Sequence, residues 1–211
     1  MKVIAILGSP RENGNTFFAL SLIGKILNSE GIDFEIIEIG GKHICGCTAC
    51  NLCAENRDGK CAITSDVLND ALAKMKDADG IIIASPVYYS GIAGTMKCFL
   101  DRAFYVAAVN GNMFRHKVGV AVAVVRRTGG SMTFNSLNHY LNVAEMLIPS
   151  SNYWNVVHGR EIGDAANDEA GIQIITTLAK NMAWLLKMRE QSKNTAPQQA
   201  EKVFTNLINS K

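Results

Sequence analysis

Apolar positions along this chain switch repeatedly between two spacings. Val3 to Leu7 is a short uninterrupted apolar run, the pattern of a strand buried on both faces. From near Thr16 the spacing becomes helical through Phe17, Leu20, Ile23 and Leu27, and Gly31 breaks it. Phe34 to Ile39 reads as a second strand, and a cysteine-rich stretch follows. Val67, Leu68, Ala71, Leu72 and Met75 then share one face of a helix, with Ser65 or Asp66 as its N-cap. Ile81 to Ala84 is a third, uniformly apolar strand that Pro86 is expected to end. A helix over Thr95 to Tyr105 leads to a fourth strand at Val118 to Val125. A helix over Met132 to Leu147 and a short strand near Tyr153 to Val157 come next. After Asn167-Asp168 a long helix carries Ile172, Ile175, Ala179, Met182 and Leu186 on its apolar face.

Strands alternating with helices specify an α/β fold, a doubly wound five-stranded parallel sheet with helices on both faces. The order 2-1-3-4-5 is expected, because it brings the polar loops after strands 1 and 3 to one switch point, where such sheets bind ligands. One domain over residues 1–193 accommodates these elements, with a cysteine-rich loop at 43–65. Past Asn194 and Pro197, residues 194–211 read as a helical tail with Val203, Phe204, Leu207 and Ile208 on one face.

Composition narrows the function classes. With 21 basic and 19 acidic residues the formal charge is +2, which suggests neither nucleic acid nor an anionic membrane as partner. The longest apolar run, around Val118 to Val125, falls well short of the roughly 20 residues that span a bilayer. Met1-Lys2 leads straight into the first strand, so no secretory segment is expected and the cytoplasm is the default compartment. The one departure from the ordinary is that five of the six cysteines fall between Cys45 and Cys61. In a reducing compartment such a cluster reads as ligands or redox thiols rather than a disulfide framework.

Three loops carry candidate binding chemistry. Gly8-Ser9-Pro10-Arg11-Glu12-Asn13-Gly14-Asn15-Thr16 joins the first strand to a helix. Backbone N–H groups at that helix start, with Ser9, Asn15 and Thr16, can cradle a phosphate, and Arg11 can add a charge-assisted contact. Neither G-x-G-x-x-G nor the P-loop ending is present, which excludes those two phosphate motifs. Ser85-Pro86-Val87-Tyr88-Tyr89-Ser90-Gly91 leaves the third strand with two aromatic rings suited to a flat heteroaromatic ligand. The glycines of Arg126-Arg127-Thr128-Gly129-Gly130-Ser131 allow close backbone approach after the fourth strand.

Among the cysteines, Cys47, Cys50, Cys53 and Cys61 give C-x2-C-x2-C-x7-C. Three thiolates at that spacing can wrap one compact centre while a fourth closes it, as a cubane iron–sulfur cluster needs. A tetrahedral zinc site, a redox-active C-x-x-C pair or plain thiols fit the same residues. Cys45 is then spare and Cys98 is expected in the core. His43 could ligate but is redundant beside four thiolates, and His158 reads as a hydrogen-bonded loop residue. No G-x-S-x-G or H-E-x-x-H motif supports a hydrolase.

The strand–GSPRENGNT–helix segment, ADGIIIASPVYYSGIAGTMKCFLDR (Ala78 to Arg102) and the VRRTGG turn together resemble the NADPH-dependent FMN reductase family of flavodoxin-like proteins. The cysteine loop resembles that of its iron–sulfur flavoprotein branch, over about residues 1–190 in all. This resemblance implies bound FMN. Ser9, Arg11, Asn15 and Thr16 would hold the phosphate; Pro86, Val87, Tyr88, Tyr89, Ser90 and Gly91 would run along the isoalloxazine; and Thr128, Gly129 and Gly130 would close the site. It also implies a [4Fe–4S] cluster on Cys47, Cys50, Cys53 and Cys61; because the cysteine loop leaves the same end of the sheet as the flavin loops, the centre is expected near the flavin of its own or a neighbouring subunit. The expected function is an FMN-dependent oxidoreductase passing electrons between the cluster or NAD(P)H and an acceptor, with no catalytic side chain nominated. The donor is NAD(P)H or a small redox protein such as ferredoxin, the acceptor a small molecule, and the assembly a homodimer or homotetramer. A cluster-free NAD(P)H:quinone or FMN reductase and a non-enzymatic flavodoxin-type carrier are the alternatives.

Overall fold

The structure, a computed structural model, describes residues 1–201 and 203. Its strands are β1 (Lys2–Leu7), β2 (Asp33–Glu38), β3 (Gly80–Tyr88), β4 (Gly91–Ile92), β5 (Val118–Val125) and β6 (Val156–His158). The helices are α1 (Asn15–Ser29), α2 (Leu52–Asn56), α3 (Leu68–Asp77), α4 (Gly94–Val109), α5 (Gly130–Val143) and α6 (Glu169–Ser192). β2, β1, β3, β5 and β6 lie side by side and pair in parallel, while β4 only folds back antiparallel on the end of β3. Leaving out β4, which the sequence does not announce, this is the expected order with its switch point between β1 and β3.

Period-two alternation divides the sheet between two cores. Ile4, Ile6, Ile81 and Ile83 face α3, α4 and α5, joining Met75, Phe99, Leu100 and Leu137. Val3, Ala5, Leu7, Ile82, Val120 and Val122 face α1 and α6, joining Leu20, Ile23, Leu178 and Met182. All eight residues of β5 are buried, which is why its run is apolar without a break.

Several boundaries depart from the sequence reading. β3 does not stop at Pro86, which stays in register with Val124. β1 ends at Leu7, opposite Ala84, so beyond that point β3 has a free edge where a missing N–H is tolerated. Residues Tyr89 and Ser90 take φ of 47° and 64° to close the β3–β4 turn, a conformation that non-glycine residues adopt at a cost. α5 starts two residues earlier than expected and ends at Val143, leaving Leu147 to bridge Val118. The expected helical tail begins as a 3-10 turn over Lys193–Thr195. Residues 196–201 have no regular structure, and Arg115 holds the carbonyls of Pro197 and Gln198. Phe204, Leu207 and Ile208 lie outside the described residues.

One ion pair joins the two ends of the described fold. Asp79 accepts the Lys2 N–H at 2.9 Å and pairs with Arg189 of α6 at 3.0 Å. Burial pushes its carboxyl up, but the Lys2 N–H and the Arg189 guanidinium outweigh that and hold it below the usual aspartate range. A depressed carboxylate contributes stability above its unfolded pKa and loses it as pH falls through the folded value. Asp79→Asn is therefore expected to cost about 1 kcal/mol at neutral pH. Urea melts at a series of pH values should show wild type and variant converging below about pH 4; a gap unchanged there would remove the ionic account.

Candidate functional site

Two sites are built at different places on this frame. The first lies at the carboxyl end of the sheet. Gly8 leaves β1 by donating to the Ala84 carbonyl at 2.9 Å, which fixes the loop against β3. The Ser9 hydroxyl accepts the Arg11 N–H at 3.2 Å. Gly14 is the N-cap of α1 and has no side chain to offer, so no cap competes for the orphan N–H groups of the first turn. Ser9, Arg11, Asn15, Thr16, Pro86, Val87 and Tyr88 line one open cleft with Val124, Arg126, Gly159 and Arg160. Three guanidinium groups and a bare helix N-terminus around one cleft make it suited to a phosphate dianion.

The expected residues do not all act alike. Asn15 is buried, donates to the Glu161 carbonyl at 2.8 Å and accepts the Ala165 N–H at 3.2 Å. Its amide thus fastens the 159–165 loop to the start of α1. Arg11 adds a bond to the Arg160 carbonyl at 2.7 Å and keeps further N–H groups for an anion. Asp164 accepts the Arg160 and Glu161 N–H groups, which shapes the same loop. Arg160 and Gly159 are not among the expected phosphate-site residues, although their position directly after β6 puts them at the ligand end of the sheet.

Thr128, Gly129 and Gly130 line a second cleft instead, with Tyr153, Trp154, His158 and Asp168. Tyr89, Ser90 and Gly91 line neither cleft, and Tyr89 projects fully into solvent. The two loops nevertheless touch. At Gly129, with φ of 88°, an added Cβ would lie 2.9 Å from the Ser90 Cα and 3.0 Å from the Val87 Cγ1, so only glycine lets the turn seat against the β3–β4 hairpin. His158 is exposed; its N–H donates to Asp168, and its Nδ1 lies 3.5 Å from the same carboxylate.

The second site is the cysteine loop. All six cysteines are free. Cys47, Cys50, Cys53 and Cys61 converge on one recess, walled by Ile63 and by Arg102, Tyr105 and Val106 of α4. Ala49, Asn51 and Arg57 take left-handed backbone conformations, folding the loop tightly around the short α2, which the spacing alone did not predict. Asparagine side chains pin it. Asn110 holds the Cys53 carbonyl and the Gly59 N–H, Asn69 holds both the N–H and the carbonyl of Cys61, and Asn51 accepts from the Tyr105 hydroxyl. Burial raises the Cys53 thiol above its ordinary value.

Among the described residues, no three Cys, His, Asp or Glu side chains stand close enough together to hold a single metal ion. A cubane cluster spaces its thiolates more widely than one ion does, and four soft ligands around one recess fit that group. Cys45 lies outside the recess lining, with its Sγ 3.8 Å from Arg102 Nη1. Cys98 is half-buried rather than fully in the core, and a Cβ on Gly46 would lie 3.9 Å from its sulfur. Arg102, which the sequence reading passed over, is 1% exposed and reaches the Cys61 sulfur. From α4 the recess takes Arg102, Tyr105 and Val106, all in the C-terminal half of that helix. Arg102 is about 12 Å along the helix axis from Gly94, where α4 leaves the β3–β4 hairpin.

Comparison with known proteins gives these features a context. Residues 1–161 match the NADPH-dependent FMN reductase family. The chain is 37% identical over 195 residues to an iron–sulfur flavoprotein of Methanocaldococcus jannaschii, covering 89% of this chain and 98% of the relative. It is 26% identical to an iron–sulfur flavoprotein of Methanosarcina thermophila over 92% of this chain and 100% of that one. Among solved structures, RosB with a bound 8-demethyl-8-formylriboflavin-5′-phosphate intermediate superposes with a TM-score of 0.74 at 15% identity, over 100% of this chain and 93% of RosB. An archaeal flavodoxin gives 0.58 at 17% identity, over 89% and 99% of the two chains. With this flavodoxin-like sheet and a family match across most of its length, the chain belongs to the NADPH-dependent FMN reductase family.

Proposed function

We propose that the protein is an FMN-dependent oxidoreductase whose cysteine loop holds a [4Fe–4S] cluster. The observation that carries this reading is the pairing, in one chain of this family, of a guanidinium-lined cleft at the N-terminus of α1 with four thiols converging on one recess. Ser9, Thr16 and the first N–H groups of α1 would bind the FMN phosphate, with Arg11, Arg126 and Arg160 balancing its charge. Asn15 would keep the 159–165 loop over it. Pro86, Val87 and Tyr88 would orient the ring along the end of β3, and the Thr128–Gly130 turn would close the far side from the adjoining cleft. Cys47, Cys50, Cys53 and Cys61 would hold the cluster. When bound, FMN supplies one- and two-electron chemistry and the cluster single electrons; the chain positions both, and no side chain is nominated as acid or base.

The donor in this reading is NAD(P)H or a small ferredoxin-like protein, the acceptor a small molecule, the compartment the cytoplasm and the assembly a homodimer or homotetramer. Among the described residues no helix is long and apolar enough to cross a membrane. Anaerobic purification followed by FMN, iron, sulfide and zinc counts tests the cofactors. About one FMN, four irons and four sulfides per chain are expected. Flavin without iron would leave a cluster-free reductase, and zinc would make the loop a structural clip. Steady-state NAD(P)H oxidation with a quinone separates an enzyme from a flavodoxin-type carrier.

A further inference from the structure

A fully buried guanidinium is uncommon and calls for partners. The Arg102 side chain is 1% exposed and Asp66, which pairs with it, is 4% exposed. Among the described residues, its hydrogen bonds all go to the segment from Cys45 to Asp66. Nε and Nη2 each reach the Cys61 sulfur at 3.4 Å. Nη2 also donates to the Ile63 carbonyl at 3.1 Å, and Nη1 to the Cys45 carbonyl at 3.3 Å. Burial works against this charge, but hydrogen bonds to Asp66 and Cys61 outweigh it and raise its pKa. A buried ion pair of this kind contributes little net stability over a well-packed apolar pair, so stability alone does not account for a guanidinium here. Asp66 and the two carbonyls would satisfy an arginine that only tied the loop to α4. What such a role leaves unexplained is the Nε edge, aimed at a sulfur that is one of the four recess thiols.

We propose that Arg102 is a positioning residue for the cysteine site, and that its two N–H donations to the Cys61 sulfur set the reduction potential of the centre held there. This rests on the cluster reading above. Hydrogen bonds and positive charge at a ligand sulfur stabilise the more electron-rich state and so raise the potential. Asp66 offsets the charge without touching a sulfur, so the two partners act with opposite sign. The step is a one-electron uptake from an added reductant, with no bond made or broken.

The test is a dithionite titration of the anaerobic holoprotein, followed by EPR, with the FMN couple recorded in the same sample as an internal reference. Arg102→Met is expected to lower the cluster potential by on the order of a tenfold change in its reduction equilibrium, about 59 mV for one electron. Arg102→Lys keeps the charge but not the planar fork and should fall between wild type and Arg102→Met. Asp66→Asn should raise the potential, and the FMN couple should stay in place in all three. A residue that only braced the loop would not move the potential in opposite directions in Arg102 and Asp66 variants. If Arg102→Met fails to retain iron, the signs from Arg102→Lys and Asp66→Asn decide. Iron retained with no shift, or shifts all of one sign, overturns this inference and leaves the cluster reading intact. A wild-type protein without iron overturns both.

Discussion

Gly40→Ala is expected to weaken FMN binding at the cleft proposed for it on the order of a hundredfold while leaving the fold in place. Gly40 follows β2 and packs directly under the phosphate loop, so that a Cβ there would sit 2.2 Å from the Ser9 carbonyl carbon, 2.3 Å from its oxygen and 2.6 Å from the Pro10 nitrogen. These are backbone atoms, and no side-chain rotation relieves the clash. The loop has to move, and with it the Ser9 hydroxyl that holds the Arg11 N–H. Overpacking of this kind costs about 1–3 kcal/mol of stability, which a folded domain of this size survives. Binding suffers more. Losing two charge-assisted contacts to a phosphate removes about 3 kcal/mol, which weakens FMN affinity on the order of a hundredfold. Flavin released per chain on denaturation, and fluorescence titration of the apoprotein with FMN, measure this. Gly41→Ala is the control, because a Cβ there meets nothing within 4 Å. Full flavin content in Gly40→Ala would show that the placement of the Ser9–Arg11 loop does not govern phosphate binding.

Position 40 also shows what a sequence can and cannot carry. The strands were legible because β3 and β5 are buried on both faces, and only an unbroken apolar run satisfies that. The loop motif was legible as a motif, but the role of Asn15 was not. Its partners Glu161 and Ala165 lie roughly 150 positions away, and nothing local to either end announces the contact. The sequence groups Thr128, Gly129 and Gly130 in one site with Ser9 and Arg11, yet side chains leaving the end of β5 in alternation send Arg126 to one cleft and Arg127 to the other. Arg102 had a readable signal that was missed. It is three residues past Phe99 and four before Val106, both buried, so it falls on the apolar face of α4. A lone charge at such a position is the kind of exception that points to a partner.

Serine in place of Cys47, Cys50, Cys53 or Cys61 is expected to reduce bound iron and sulfide to a small fraction of the wild-type count, whereas Cys45→Ser and Cys98→Ser retain them. The division follows from geometry. The first four side chains line one recess, and Cys45 and Cys98 are absent from that lining. A hydroxyl is a harder and far less acidic donor than a thiol, so serine does not replace a thiolate toward iron under these conditions. The four also differ from one another in a measurable way. Cys47 and Cys50 are exposed, so their serine variants should melt as wild-type apoprotein does and differ only in metal content. Cys53 is the buried residue of α2, and a hydroxyl there is expected to cost about 1–2 kcal/mol of apoprotein stability as well. Iron and sulfide counts on anaerobically purified variants, with thermal melts of the apo forms, read both effects. Iron lost in Cys45→Ser but kept in Cys47→Ser would move the ligand set to Cys45, whose sulfur lies against Nη1 of Arg102. In that event the guanidinium would touch two ligand sulfurs rather than one, and the potential shift in its variants should grow accordingly.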